Sequence, residues 1–126
     1  MEDSRKETGK RGEQLACDYL ENIGHTIVAR NWRASHKEVD IITLSAGKVL
    51  HIVEVKSRTE PVAAAPELSV DSKKMKNLTA AAREYLRSAG EANLEEVCFD
   101  VVSVVFSDTA EPRVEYFPQA YIPIYA

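Results

Sequence analysis

The sequence predicts an α/β domain in which a mixed β-sheet is flanked by helices, in the order α-β-β-β-α-β-β. Three observations carry this. Two segments repeat apolar residues at helical spacing. Five short segments are rich in β-branched and aromatic residues and are separated by turn residues. Two of these, Val39–Leu44 and Val49–Ser57, are almost continuously apolar, as strands covered on both faces must be. Helices and strands in this order pack as layers around one sheet. The 126 residues fit a single domain over 1–126, with residues 1–7 expected to form a flexible N-terminus.

The first helix is expected over residues 8–23, where Ala16, Tyr19, Leu20 and Ile23 recur at helical spacing and Gly24 ends the run. Glu13 lies on or beside the inward stripe, where a carboxylate is costly unless something pairs with it. His25–Arg33 reads as an edge strand with Ile27 and Val28 as its apolar part. Val39–Leu44 and Val49–Ser57 are joined by the turn Ser45-Ala46-Gly47-Lys48, so they form a hairpin. Pro61 and Pro66 bracket a loop of small residues. The second helix is expected over Ser72–Ser88, with Asp71 as N-cap, Met75, Leu78, Ala82, Tyr85 and Leu86 as its buried stripe, and Gly90 as its stop. Glu96–Phe106 reads as a core strand and Arg113–Phe117 as the last strand, before a tail holding Tyr121, Pro123 and Tyr125.

Composition removes several classes. No apolar run approaches the roughly 20 residues of a membrane span. The first residues, Met1-Glu2-Asp3-Ser4-Arg5-Lys6, are charged with no apolar stretch behind them, unlike a secretion signal. Cys17 and Cys98 lie far apart, with no CxxC and no nearby histidine pair. They read as reduced thiols of a cytoplasmic protein, with no structural zinc site expected. His25, His36 and His51 show no ligand-like spacing and read as surface or packing residues.

The chemistry-bearing residues cluster on the hairpin. Asp40 stands near the start of its first strand, and Glu54 and Lys56 near the end of its second. Residues two apart on a strand share a face, so Glu54 and Lys56 project together. The antiparallel hairpin brings Asp40 beside them. Each interrupts an apolar run, and burying such charges costs several kcal/mol per ion unless they pair or bind metal. Two readings of these residues stay open. The commoner arrangement is an ion pair of Lys56 with Glu54 or Asp40. The other is a site for a hard cation such as Mg²⁺, held by Asp40 and Glu54 with the backbone carbonyl of Val55. Lys56 would then position water, and Glu13 would add a third carboxylate.

Asp40 followed by Glu54-Val55-Lys56 resembles the Asp…Glu-x-Lys signature of the PD-(D/E)xK nuclease superfamily. The blocks Arg11-Gly12-Glu13, Arg30-Asn31-Trp32-Arg33, Glu38-Val39-Asp40-Ile41-Ile42, Val53-Glu54-Val55-Lys56-Ser57-Arg58 and Phe99-Asp100-Val101-Val102 resemble, in that order, the YraN-like family of bacterial proteins, itself similar to archaeal Holliday-junction resolvases. The likeness runs from Arg11 to about Tyr121. It implies a restriction-endonuclease-like core and metal-dependent hydrolysis of DNA phosphodiester bonds, with branched DNA among the substrates. It implies Glu13, Asp40, Glu54 and Lys56 as the catalytic set, with Mg²⁺ or Mn²⁺ held by Asp40, Glu54, Val55 and Glu13. A homodimer would suit symmetric cutting of two strands, although no sequence feature encodes one. Two positions depart from the family pattern. Lys37 stands where a glycine is common, and Cys98 stands where an arginine often precedes Phe-Asp-Val, removing a phosphate-binding charge.

Arg33, Ser57, Arg58, Lys73, Lys74 and Lys76 are the expected nucleic-acid contacts. The three lysines crowd a helix N-terminus, where cations oppose the dipole; a solvated face is the commoner reason for such a run. Asn31, Trp32 and Arg33 can clamp a nucleotide, although a tryptophan in this setting more often packs. Asp100, between Phe99 and Val101, reads as a buried structural acid or a partner of the site. The net charge of −4 argues against a simple polycation. The charge is uneven, however. Residues 1–87 hold 15 basic and 13 acidic residues, whereas residues 88–126 hold one and seven. The half with the proposed site is therefore slightly basic. Two rival functions remain: a nucleic-acid-binding protein with the nuclease fold but no turnover, and an interaction protein in which the acids and lysine form only an ion-pair network.

Overall fold

The computed structural model describes residues 3–34, 37–46, 48–60, 72–89 and 94–121, with the backbone alone at 3–5, 34, 37, 72–75, 89 and 121. The element order is the expected one: α1 (Asp3–Asn22), β1 (Thr26–Ala34), β2 (Lys37–Ser45), β3 (Val49–Thr59), α2 (Ser72–Ala89), β4 (Glu96–Phe106) and β5 (Arg113–Tyr121). The five strands form one mixed sheet in the order β1-β2-β3-β4-β5. β1, β2 and β3 are a meander of antiparallel neighbours, β4 returns parallel to β3, and β5 closes the far edge antiparallel to β4.

The apolar runs are continuous because both faces of the sheet are covered. Ala16, Cys17 and Leu20 of α1 pack with Ile41, Val53, Val102 and Val104 on one face. Ala81, Ala82 and Tyr85 of α2 pack with Ile42, Leu50, Ile52, Phe99 and Val101 on the other. Alternate residues of β3 and β4 thus feed opposite cores, the period of two that a strand imposes. No helix among the described residues is long and apolar enough to cross a membrane.

The structure shifts several boundaries. α1 begins at Asp3, five residues before the expected start and within the segment expected to be flexible. Its buried stripe is Ala16, Cys17 and Leu20, whereas Ile23, expected in the stripe, is 47% exposed. The cause is the cap. Gly24 takes φ 104, the amide of His25 bonds the carbonyl of Leu20, and the amide of Gly24 bonds that of Glu21. In this Schellman closure Ile23 is the C-cap residue, its amide bonded to the carbonyl of Tyr19, and the chain turns away at Gly24. β5 runs past Pro118 to Tyr121, four residues further than expected. An edge strand tolerates the missing amide. The expected N-cap Asp71, the loop bracketed by Pro61 and Pro66, the stop Gly90, the tail residues Pro123 and Tyr125, and His36 lie outside the described residues.

Gly12 allows α1 to come close to β3. A Cβ placed there would stand 1.9 Å from Ser57 Oγ and 3.1 Å from Ser57 Cβ. Glycine within a helix costs about 1 kcal/mol relative to alanine, and this close crossing is its structural return. It sets the next residue, Glu13, over the end of β3.

Candidate active site

β2 and β3 part company at Asp40. Their paired ladder begins at Ser45↔Val49 and ends at Ile41↔Val53, one residue short of Asp40 and Glu54. Beyond that point the backbone of β3 still needs a partner, and the Asp40 side chain provides it. The amide of Val55 donates to Asp40 Oδ2 at 2.9 Å. The carboxylate is therefore wedged into the opening between two diverging strands.

A cleft of about 510 Å³ opens there, lined by Thr8, Gly9 and Glu13 of α1, by Asp40, and by Val55, Ser57, Arg58 and Thr59 along β3. Asp40 has a single described hydrogen bond and several acidic neighbours. Burial pushes its carboxyl up from the usual 3.8 to about 6, the Val55 amide works against that rise, and the charges of Glu13, Glu54 and Glu38 add to it. A carboxyl held near neutrality by burial and like charge is the electrostatic signature of a site that takes a cation or a proton.

The structure gathers Glu13, Asp40, the Val55 backbone, Ser57 and Arg58 in one cleft. It does not bring Glu54 and Lys56 to its lining. The register of β3 on β4 is unbroken from Val49 to Thr59. With Val53 and Val55 packed toward α1, alternation turns Glu54 and Lys56 toward the α2 side of the same strand end. Both are half-buried. Glu54 remains near enough for its charge to act on Asp40. On the α2 side, Ser103, the β4 partner of Lys56, buries a hydroxyl that has no hydrogen-bond partner among the described residues.

The expected nucleic-acid contacts are dispersed. Arg33 is exposed on the edge strand β1 and pairs with Glu38 at 3.4 Å. Lys76 is exposed on α2, while the side chains of Lys73 and Lys74, in the first turn of that helix, lie outside the described set. Trp32 is half-buried with its ring edge-on to Tyr85, centroids 5.8 Å apart, so it packs against the core.

Some residues of the cleft were not singled out from sequence. Thr8 and Gly9 precede Glu13 by five and four positions, and that helical spacing is the signal that places them beside it. A second depression of about 350 Å³ adjoins the cleft through Thr8 and Thr59, with Arg11 on its wall. The Arg11 guanidinium sits 4.6 Å above the Phe106 ring, a cation–π contact invisible to sequence spacing.

The other end of the α1 face carries a buried polar network. His51 Nδ1 meets Asp100 Oδ2 at 2.6 Å, and His51 Nε2 meets Ser45 Oγ at 2.7 Å. Tyr116 donates its hydroxyl to Asp100 Oδ2 at 2.6 Å, and the amide of Gln119 donates to Asp100 Oδ1 at 2.8 Å. Gln119 takes φ 51 where the β4–β5 register shifts, so the carboxylate stitches the bulge of β5. His25 stacks on His51, and burial and the neighbouring imidazole hold its pKa below the usual range. His25 and His51 thus take part in a packed polar cluster. The parallel pairing His51↔Cys98 assembles it, and no spacing within the sequence announces that pairing.

A family model described as "Uncharacterised protein family UPF0102" matches residues 12–104. Among curated relatives, the UPF0102 protein of Anaeromyxobacter dehalogenans is 42% identical over 120 residues, covering 94% of this chain and 87% of the relative. That of Solibacter usitatus is 40% identical over 115 residues, with 90% and 84% covered. That of Porphyromonas gingivalis is 39% identical over 114 residues, with 90% and 82% covered.

Proposed function

The chain belongs to the UPF0102 (YraN-like) family, and we propose that it is a metal-dependent endonuclease of the PD-(D/E)xK type that hydrolyses DNA phosphodiester bonds, branched DNA among them. The observation that carries this is the state of Asp40. Its carboxylate sits at a strand divergence, is pushed up to about 6, and is surrounded by Glu13, Glu54 and Glu38.

The donor set fits a hard divalent cation, Mg²⁺ or Mn²⁺. Asp40 and Glu13 present carboxylates to one cleft, Glu54 is coupled to Asp40, and all are oxygen donors. Asp40, Glu13 and the Val55 carbonyl are the residues that would hold it, with Glu54, expected from sequence as a ligand, acting through its charge on Asp40. Such an ion supplies Lewis-acid activation of water and stabilises charge on a phosphoryl group.

The protein's own groups do the rest. Ser57 and Arg58 stand on the cleft wall beside Asp40, where a hydroxyl and a guanidinium suit phosphate oxygens. Lys56 shares a face with Glu54 and is the group assigned to orienting the attacking water. The proton that Asp40 holds with a carboxyl near 6 would leave as the ion enters, so loading of the site is favoured as pH rises through that value. Non-catalytic nucleic-acid binding is the second reading, and it is favoured by one observation, the absence of Glu54 and Lys56 from the cleft lining.

The test is incubation of duplex, flap and four-way-junction DNA with the protein in Mg²⁺ or Mn²⁺. Cleavage by the wild type that falls by at least about 100-fold in both Asp40→Ala and Lys56→Ala is expected, the scale of losing a metal ligand or a general acid–base group. Equal cleavage by the variants would overturn the site. Retarded DNA without cleavage by the wild type would select the binding reading.

A further inference from the structure

A second cluster of donor groups lies away from the acidic cleft, at the opposite end of the same sheet face. His51, Cys98 and Asp100 place their ligand atoms within 4.8 Å of one another, and all three residues are buried. β3 and β4 supply them through the parallel register that pairs His51 with Cys98. We propose that His51, Cys98 and Asp100 form a binding site for one borderline-soft divalent cation of the zinc class, independent of the cleft at Asp40.

The chemistry of the donors selects the ion. One imidazole nitrogen, one sulfur and one carboxylate oxygen suit a tetrahedral zinc-like cation, not the all-oxygen shell of magnesium. Glu96 Oε2 stands 3.6 Å from Cys98 Sγ, outside the group of three, and accepts from Gln119 Nε2 at 2.7 Å; water would supply the fourth ligand. Glu96 is exposed, so the site has an access route at that corner.

The surrounding hydrogen bonds have the form that a metal centre needs. Ser45 Oγ engages His51 Nε2, which fixes the ring and turns Nδ1 toward Asp100. Tyr116 donates to the same Asp100 oxygen, Oδ2, that meets His51, and the Gln119 amide donates to Oδ1, so the carboxylate is held in place. The proton between His51 Nδ1 and Asp100 Oδ2, at 2.6 Å, occupies the place of the ion. Binding would shift that proton to His51 Nε2, where Ser45 Oγ can accept it, and would release the thiol proton of Cys98 to solvent. The imidazole and carboxylate would separate by about 0.8 Å to reach a tetrahedral edge.

The experiment is a titration of the full chain, first stripped with a chelator, with Co²⁺ alone. One equivalent is expected to produce a thiolate-to-cobalt charge-transfer band in the near ultraviolet. That band should vanish in Cys98→Ala and in Cys98→Ser, and persist in Asp40→Ala. Absence of the band from the wild type, or its survival in the Cys98 variants, would overturn the proposal. Zn²⁺ is also expected to raise the thermal midpoint of the wild type more than that of Cys98→Ala, which keeps the Asp40 cleft; equal shifts in the two would overturn it as well. Neither readout depends on DNA cleavage, so the outcome is separate from that of the nuclease reading.

Discussion

Two aspartates on the α1 face of one sheet show opposite solutions to the same problem. Asp100 is completely buried, yet His51, Tyr116 and the Gln119 amide all point donors at it. Asp40 is less buried, but it has one described donor and acidic neighbours, and its carboxyl is pushed up to about 6. Burial alone therefore does not set the state of an acid. What separates them is whether the fold supplies the hydrogen bonds that burial takes away. At Asp100 it does, and the acid organises the bulge of β5. At Asp40 it supplies carboxylates instead, and the Val55 amide is the one described donor that offsets them.

The sharpest way to break this comparison is to remove Asp100. Asp100→Ala would leave an imidazole, a phenol and an amide without their acceptor, and a loss of about 3–5 kcal/mol in chemical denaturation is expected. A loss below about 1 kcal/mol would mean that the network contributes little and that the contrast with Asp40 is false.

Asp40→Asn is expected to move stability the other way. An acid whose folded pKa lies above its unfolded value destabilises the fold once ionised. The native protein binds the extra proton between the usual 3.8 and about 6, so stability falls as pH rises through that window. Above it the burden is constant. Because the group is partly solvated, the gain on removing its charge is about 1–3 kcal/mol at pH 7. The gain should disappear below about pH 4, where the aspartate is protonated in both states. Thermal unfolding of both proteins across pH 3–8 reads this directly, and a destabilised Asp40→Asn at pH 7 would contradict it. The Val55 amide keeps a carbonyl oxygen to bond in the variant.

The smallest effect tests how α1 is held over the cleft. A Gly12→Ala methyl collides with Ser57 Oγ, so about 1 kcal/mol of net destabilisation is expected after the gain in helix propensity. In a Ser57→Ala background the collision with the hydroxyl is gone, and the same change should become neutral or stabilising. A double-mutant cycle measures the difference. Additive effects would show that Gly12 and Ser57 do not set the crossing.

Legibility from sequence follows the range of the interaction. The helical period placed Ala16 and Leu20 in the core, but it misplaced Ile23, because Gly24 ends the helix before that residue can turn inward. β5 continues past the expected end at Phe117 because an edge strand has no second neighbour to require the amide that Pro118 lacks. Charge alone groups Arg33 and Lys76 with Arg58. In the fold, Arg33 lies on the edge strand, Lys76 is on α2, and Arg58 is on the cleft wall.

What the sequence determined by itself was the element order, the two covered faces and the hairpin that seats Asp40 one step beyond the last β2–β3 pair. These rest on local periods and a short turn, which neighbouring residues encode. Only the tertiary structure decided which face each chemical group meets. The α1 crossing at Gly12 put Glu13 with Asp40, and the unbroken β3–β4 register turned Glu54 and Lys56 to the other side. The same parallel pairing joined His51 to Cys98 and Asp100. Parallel neighbours are set by a long crossover through α2, so their register depends on packing across the whole sheet and leaves no mark in the spacing of residues along the chain.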